Sequence, residues 1–234
     1  MVRFSTTRWS LIADASGDPS LARPALAELC RDYRPPVLAF VRRHGYSLAD
    51  AEDLTQEFFA RFLERGWHAE ASPERGRFRA LVLTALRRFL LDSQAHVRAQ
   101  KRGGGARHVE LAESMETAAD DSPERAFMRS WLGIILERAR RRLQVECSDA
   151  GRGAHFERLW GCIDGRADSA DLDALAEELG MRRNTVAVQL HRLRARMRQL
   201  TRLELLATVG SREDLDTELD ELRDLLQLDL VNKD

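Results

Sequence analysis

Lysine is almost missing from this 234-residue chain: Lys101 and Lys233 are the only two among 37 basic residues, and the rest are arginine. Genomic base composition accounts for such a bias as readily as function does, although guanidinium groups also suit phosphates and base edges. Cysteine is scarce too. Cys30, Cys147 and Cys162 leave one thiol unpaired and show no Cys-x-x-Cys spacing, which argues against a disulfide framework or a zinc cluster. No stretch approaches the ~18 uninterrupted apolar residues of a membrane span. The start Met1-Val-Arg-Phe-Ser-Thr-Thr-Arg has no apolar signal core, so a cytoplasmic protein without a membrane partner is expected.

Strand signals and catalytic constellations are missing as well. Apolar residues recur at three- and four-residue spacings almost everywhere, which predicts an all-α protein. The histidines His44, His68, His96, His108, His155 and His191 are scattered, and no Ser-His-Asp order or His-Glu-x-x-His spacing occurs. Cys147, His155 and Cys162 lack a fourth ligand at zinc spacing. The expectation is therefore no enzyme, no metal, no cofactor and no small-molecule substrate.

What the chain does have is unevenly placed charge. The net charge is −1, yet residues 1–100 carry 15 basic against 12 acidic side chains, residues 126–210 carry 15 against 11, and residues 211–234 carry 3 against 9. Any polyanion site must then be a local patch on a nearly neutral protein. The pattern predicts helices over 21–33 and 37–44, divided by Pro35-Pro36, then one from Ser47 to about Arg65 and a long one over 76–100. Residues 101–121, with Gly103-Gly104-Gly105 and five carboxylates, read as a flexible acidic linker. Ser122-Pro123-Glu124 restarts a helix to about Val145, and shorter helices follow near 153–163, 170–179, 183–206 and 211–229. Two helical domains are expected, 1–100 and 122–207, with an acidic amphipathic helix in 208–234.

Three motifs carry the functional reading. In Asp171–Arg198 the apolar face Leu172, Leu175, Ala176 and Leu179 meets Gly180, then a second stripe of Val186, Leu190, Leu193 and Met197: a helix-turn-helix pattern. Seven arginines and no carboxylate lie between Met181 and Leu203, a phosphate-binding footprint. Arg182 and Arg183 oppose the dipole of the second helix, which a DNA contact would offset. The second motif, Asp50-Ala-Glu-Asp-Leu-Thr-Gln-Glu-Phe-Phe, buries Ala51, Leu54, Phe58 and Phe62 and leaves Asp50, Asp53, Gln56 and Glu57 outward, either a solvated face or a dock for a basic partner. The third is basic, with eight Lys or Arg and only Asp92 between Arg75 and Arg102. Trp67 and His68 in the loop before it, and Phe78 and Arg79 within it, are candidates for enclosing unpaired bases, with Arg87 and Arg88 beside them; Trp67 and Phe78 would equally serve as core plugs.

Together these motifs, in this order, resemble bacterial RNA polymerase sigma factors of the extracytoplasmic-function group. The resemblance implies a region 2-like bundle and a region 4-like helix-turn-helix domain. It implies that Asp50, Asp53, Gln56 and Glu57 bind core RNA polymerase, and that Arg182, Arg183, Asn184, Thr185, Gln189, Arg192 and Arg196 bind the upstream element of promoter DNA. Trp67, His68, Phe78, Arg79, Arg87 and Arg88 would take the downstream element and its melted strand. An anti-sigma factor is a further partner the resemblance admits. Arg88 stands where the family often has asparagine, and Phe156–Gly165 replaces a more aliphatic helix, so the branch is divergent. A stand-alone helix-turn-helix regulator or a degenerate sigma-like adaptor are the rival readings. The tail offers Leu215, Leu219, Leu222 and Leu226 as a stripe; it would pack on the second domain, or hold its carboxylates near the arginine-rich helix in competition with DNA.

Overall fold

The computed structural model describes residues 11–231 apart from 13, 16–18, 72–76, 103–121, 164–168 and 210–211. The acidic linker expected over 101–121 therefore falls, from Gly103 on, outside the described residues. Among those described, all regular structure is helical: α1 (Pro19–Arg43), α2 (Leu48–Glu64), a 3-10 turn (Trp67–Glu70), α3 (Phe78–Arg102), α4 (Pro123–Asp149), α5 (Gly153–Trp160), α6 (Ser169–Glu178), α7 (Arg183–Leu206) and α8 (Arg212–Val231). They form two compact units, Met1–Gly133 with Leu206–Asp234, and Ile134–Leu205.

The predicted break at Pro35-Pro36 does not occur, and α1 runs through Pro24, Pro35 and Pro36. Each proline withholds an N–H from the carbonyl four residues back and costs about 3 kcal/mol in a helix interior. Continuing the helix, however, aligns Tyr33, Val37, Phe40 and Val41 on one face, and all four are buried. Burial of large apolar side chains at roughly 1.5–3 kcal/mol each outweighs the local penalty. The helix stops at Gly45, whose φ of 87° suits a residue without Cβ. Ser47 then caps α2 as expected: its Oγ accepts from the Asp50 N–H at 3.1 Å and donates to the Asp50 carboxylate at 2.6 Å.

Aromatic packing joins α1, α2 and α3. Tyr33 meets Phe78 edge-on at 5.3 Å, Phe58 meets Phe89 at 5.7 Å, and Phe62 meets Phe78 at 6.3 Å. On α2 the buried set is Ala51, Thr55, Phe58 and Phe62; Thr55 takes the core place expected for Leu54, which is only half-buried. The start of α4 contributes Phe127 and Trp131 to the same unit, both almost wholly buried.

The largest departure concerns α8. It groups with the N-terminal unit, not with the helix-turn-helix as either reading of the tail expected. Glu218, with no exposed surface, lies 2.6 Å from Arg79 Nη2 and 3.1 Å from Arg77 Nη1. Arg79 Nη2 also donates to Glu221 at 2.9 Å, and its guanidinium sits 5.1 Å from the centre of the Trp131 ring. Leu215 and Leu222, on the same side of α8 as Glu218, are buried. Burial pushes the Glu218 carboxyl up and the Arg79 guanidinium down, while their mutual attraction opposes both shifts.

A buried pair of this kind gains little over an apolar one, but removing a single partner strands a charge. Glu218→Ala is expected to cost about 3–5 kcal/mol, and Arg79→Met combined with Glu218→Leu to restore most of it. Urea unfolding followed by circular dichroism measures this; a loss below about 1 kcal/mol for Glu218→Ala would mean that the pair does not hold α8 in place.

Candidate functional site

Asp50, Asp53, Gln56 and Glu57 are all exposed on α2. Two of the carboxylates have local partners: Glu57 accepts from Arg61 at 2.6 Å, and Asp50 serves the cap. Asp53 and Gln56 remain as an outward polar pair between them. The face follows directly from α2 burying Ala51, Thr55, Phe58 and Phe62 on the other side.

The basic candidates of the first unit divide sharply. Phe78 is a core residue, packed on Tyr33 and Phe62, so it does not meet an extruded base. His68 is buried 6.4 Å from Phe62, and desolvation lowers its pKa below the ordinary imidazole value. Arg79 is 6% exposed and held by α8 and Trp131, which removes it from the nucleic-acid set. Phe78 thus takes the core place that the sequence also allowed it, whereas the burial of Arg79 depends on Trp131 and Glu218, far along the chain. Trp67 stays half-buried, edge-on to Phe62 and 5.4 Å from the Arg65 guanidinium. Arg87 and Arg88 are exposed on α3; Arg87 donates to Glu124 at 2.9 and 3.1 Å, and Arg88 projects outward.

In the second unit α6 and α7 are joined by the four residues Leu179–Arg182. Gly180, at φ 61°, lets the Met181 N–H reach the Ala176 carbonyl at 2.9 Å and its own N–H reach Glu177 at 3.1 Å, the double bond pattern of a glycine C-cap. Leu159, Leu175, Ala176, Val186 and Leu190 pack beneath the turn, with Leu172, Leu179, Met181 and Leu193 at their edge. This leaves Arg182, Arg183, Asn184, Thr185 and Arg192 exposed and Gln189 half-buried, its amide 3.4 Å from Met181 Sδ. Arg183 Nε lies 3.4 Å from Asp173. Arg196 is different: it donates to both oxygens of Glu146 at 2.6 and 2.7 Å and so ties α7 to α4. Arg194 is also inward, donating to the Cys162 and Ile163 carbonyls at 2.7 and 3.0 Å.

Residues 29–103 match the family model of sigma-70 region 2, about a third of the chain. Over this stretch the chain is similar to sigma-70 region 2. No curated protein and no solved structure gives a match. The matched stretch begins within α1 at Leu29 and extends through α2 and α3, so it contains both the acidic α2 face and the exposed Arg87 and Arg88. No described helix is long and apolar enough to cross a membrane.

Two features of α7 went unread in the sequence. Val188 is 49% exposed and His191 is exposed, on one line with Asn184. The signal was present: Val188 lies off the 186–190–193–197 stripe, so an apolar residue there has no core to enter. The Glu146–Arg196 clasp is the other, visible only once α4 and α7 adjoin.

The hydrogen bond from Arg196 holds the Glu146 carboxyl below its ordinary value of 4.5, with burial opposing it. A depressed folded-state pKa means that the contribution is present above the unfolded value and disappears as pH falls through the folded one. Stability of the second unit should thus fall as the pH drops below the ordinary carboxylate range, and Glu146→Gln should flatten that slope while lowering stability at neutral pH. Urea midpoints at several pH values measure it; parallel curves for the two proteins would show that the clasp contributes nothing.

Proposed function

We propose that this chain is a sigma factor of the extracytoplasmic-function type, which binds core RNA polymerase and directs promoter-specific initiation of transcription. The observation that carries the reading is the region 2 match over 29–103, coincident with a bundle that turns an acidic helix face outward. In this reading Asp50, Asp53, Gln56 and Glu57 dock the polymerase. Trp67, Arg87 and Arg88 attend the downstream element. The glycine-turned helix pair is a DNA-reading helix-turn-helix, in which Arg182, Arg183, Asn184, Thr185, Gln189 and Arg192 contact the upstream element. Val188 joins them, since an exposed apolar side chain on such a helix suits a thymine methyl. The functional division follows 1–100 and 122–207, and the mechanism is binding: the polymerase performs the chemistry, in the cytoplasm.

Mixing with purified core polymerase tests the whole reading, which requires a stable complex and transcription from a matching promoter. DNA binding without polymerase binding would favour a stand-alone regulator, and polymerase binding without initiation an adaptor. Within the complex, Asp53→Arg should release the polymerase, because reversing a charge at a docked pair costs about 2–5 kcal/mol. Unchanged co-purification would overturn the docking face. Arg183→Ala should relax sequence preference by roughly 1–3 kcal/mol if it bonds a base edge, measured by competition between duplexes; a uniform loss would reassign it to the backbone.

A further inference from the structure

Beside α7 the second unit holds an open pocket of about 120 Å³, lined by Cys147, Arg152, His155, Phe156, Leu159, Gln189, Arg192 and Leu193. A single water needs only ~10–15 Å³ by such a measure, so a tetrahedral oxyanion fits. The floor is apolar, formed by the buried Cys147, Phe156 and Leu159. The rim is cationic and polar: Arg152 and Arg192 are exposed, His155 and Gln189 half-buried, and no carboxylate lines it.

Several arginines of this unit are already committed: Arg140 and Arg141 share Glu137, Arg142 bonds Glu204 at 2.7 Å, Arg158 pairs with Glu178, and Arg194 and Arg196 are anchored as described. The side chains of Arg152, His155 and Arg192 have no hydrogen bond or ion pair among the described residues. Glu146 is taken by Arg196 and Glu157 by Gln144, and Asp149, three residues before Arg152, forms no ion pair with it. Two uncompensated guanidinium groups over a low-dielectric floor favour a doubly ligated oxyanion.

We propose that this pocket seats one phosphate of the DNA backbone, with Arg152 and Arg192 as its ligands and His155 and Gln189 at its rim. The inference rests on the reading of α7 as a duplex-DNA helix, which shares Gln189 and Arg192 with the pocket, and it adds Arg152 at the N-cap of α5 and His155 from its first turn. A backbone seat there fixes the register of the recognition helix without reading sequence.

Full-length protein is titrated onto an arbitrary duplex of about 30 base pairs across a salt series, since a backbone contact needs no promoter. Arg152→Gln should weaken binding roughly three- to tenfold and make the slope of log K against log salt shallower by about 1. Arg152→Lys should retain the slope. Arg158→Gln, which removes the same charge outside the pocket, should leave the slope unchanged. Because both arginines hold one phosphate, the Arg152→Gln, Arg192→Gln double variant should lose less than the product of the single losses. If the unmodified protein binds duplex and Arg152→Gln matches it in affinity and slope, the seat is refuted while the DNA reading stands. If the unmodified protein binds no duplex, the DNA reading fails and the seat with it. A parallel arm measures unfolding with inorganic phosphate against chloride at equal ionic strength; stabilisation that Arg152→Gln abolishes, without any effect on duplex binding, assigns the pocket to a free phosphate ligand and overturns the DNA assignment.

Discussion

The N-terminal unit depends on a charge placed where charge is costly. Arg79 opens α3 from inside the bundle, at 6% exposure, and needs a counter-charge and an aromatic face to stay there. Trp131 of α4 supplies the face, and Glu218 of α8 supplies the counter-charge from 139 positions along the chain. One ion pair therefore links α8 to the start of α3. A segment that composition alone would classify as an acidic tail becomes part of the N-terminal unit. Its apolar residues Leu215 and Leu222 are buried along with Glu218, so the helix has one buried side and one solvated side.

The second unit applies the opposite logic to the same residue type. Its arginines are sorted by what faces them. Arg194 caps the carbonyls at the end of α5, and Arg142 and Arg196 brace α7 through Glu204 and Glu146. Arg182, Arg183 and Arg192 stay outward. The positive footprint of α7 is thus smaller than its count of arginines, and its exposed members Arg183, Arg192, Arg198 and Arg202 are spread along the helix.

Both units use the same economy of surface. In α2 the buried stripe of Ala51, Thr55, Phe58 and Phe62 leaves carboxylates outward; in α7 Val186, Leu190 and Leu200 leave cations outward. The two faces have opposite sign, an arrangement that suits the proposed bridging of a basic protein surface and a polyanion.

Local chemistry was legible in the amino-acid order by itself. The Ser47 and Ser122 caps, the stops at Gly45, Gly66 and Gly180, the helix content and the α6–α7 turn are determined by residues within one or two turns of each other. The acidic α2 face was legible for the same reason, since helical periodicity assigns it without knowledge of any neighbour. Tertiary structure decided the rest. It carried α1 through Pro35-Pro36, because four buried side chains outweigh lost backbone bonds. It put Thr55 in the core, and moved Phe78, His68 and Arg79 from candidate surface to interior. It sent α8 to the N-terminal unit and gave Arg196 to Glu146. In each case the deciding partner is distant in sequence or belongs to another helix, and burial energy depends on that partner rather than on spacing along the chain.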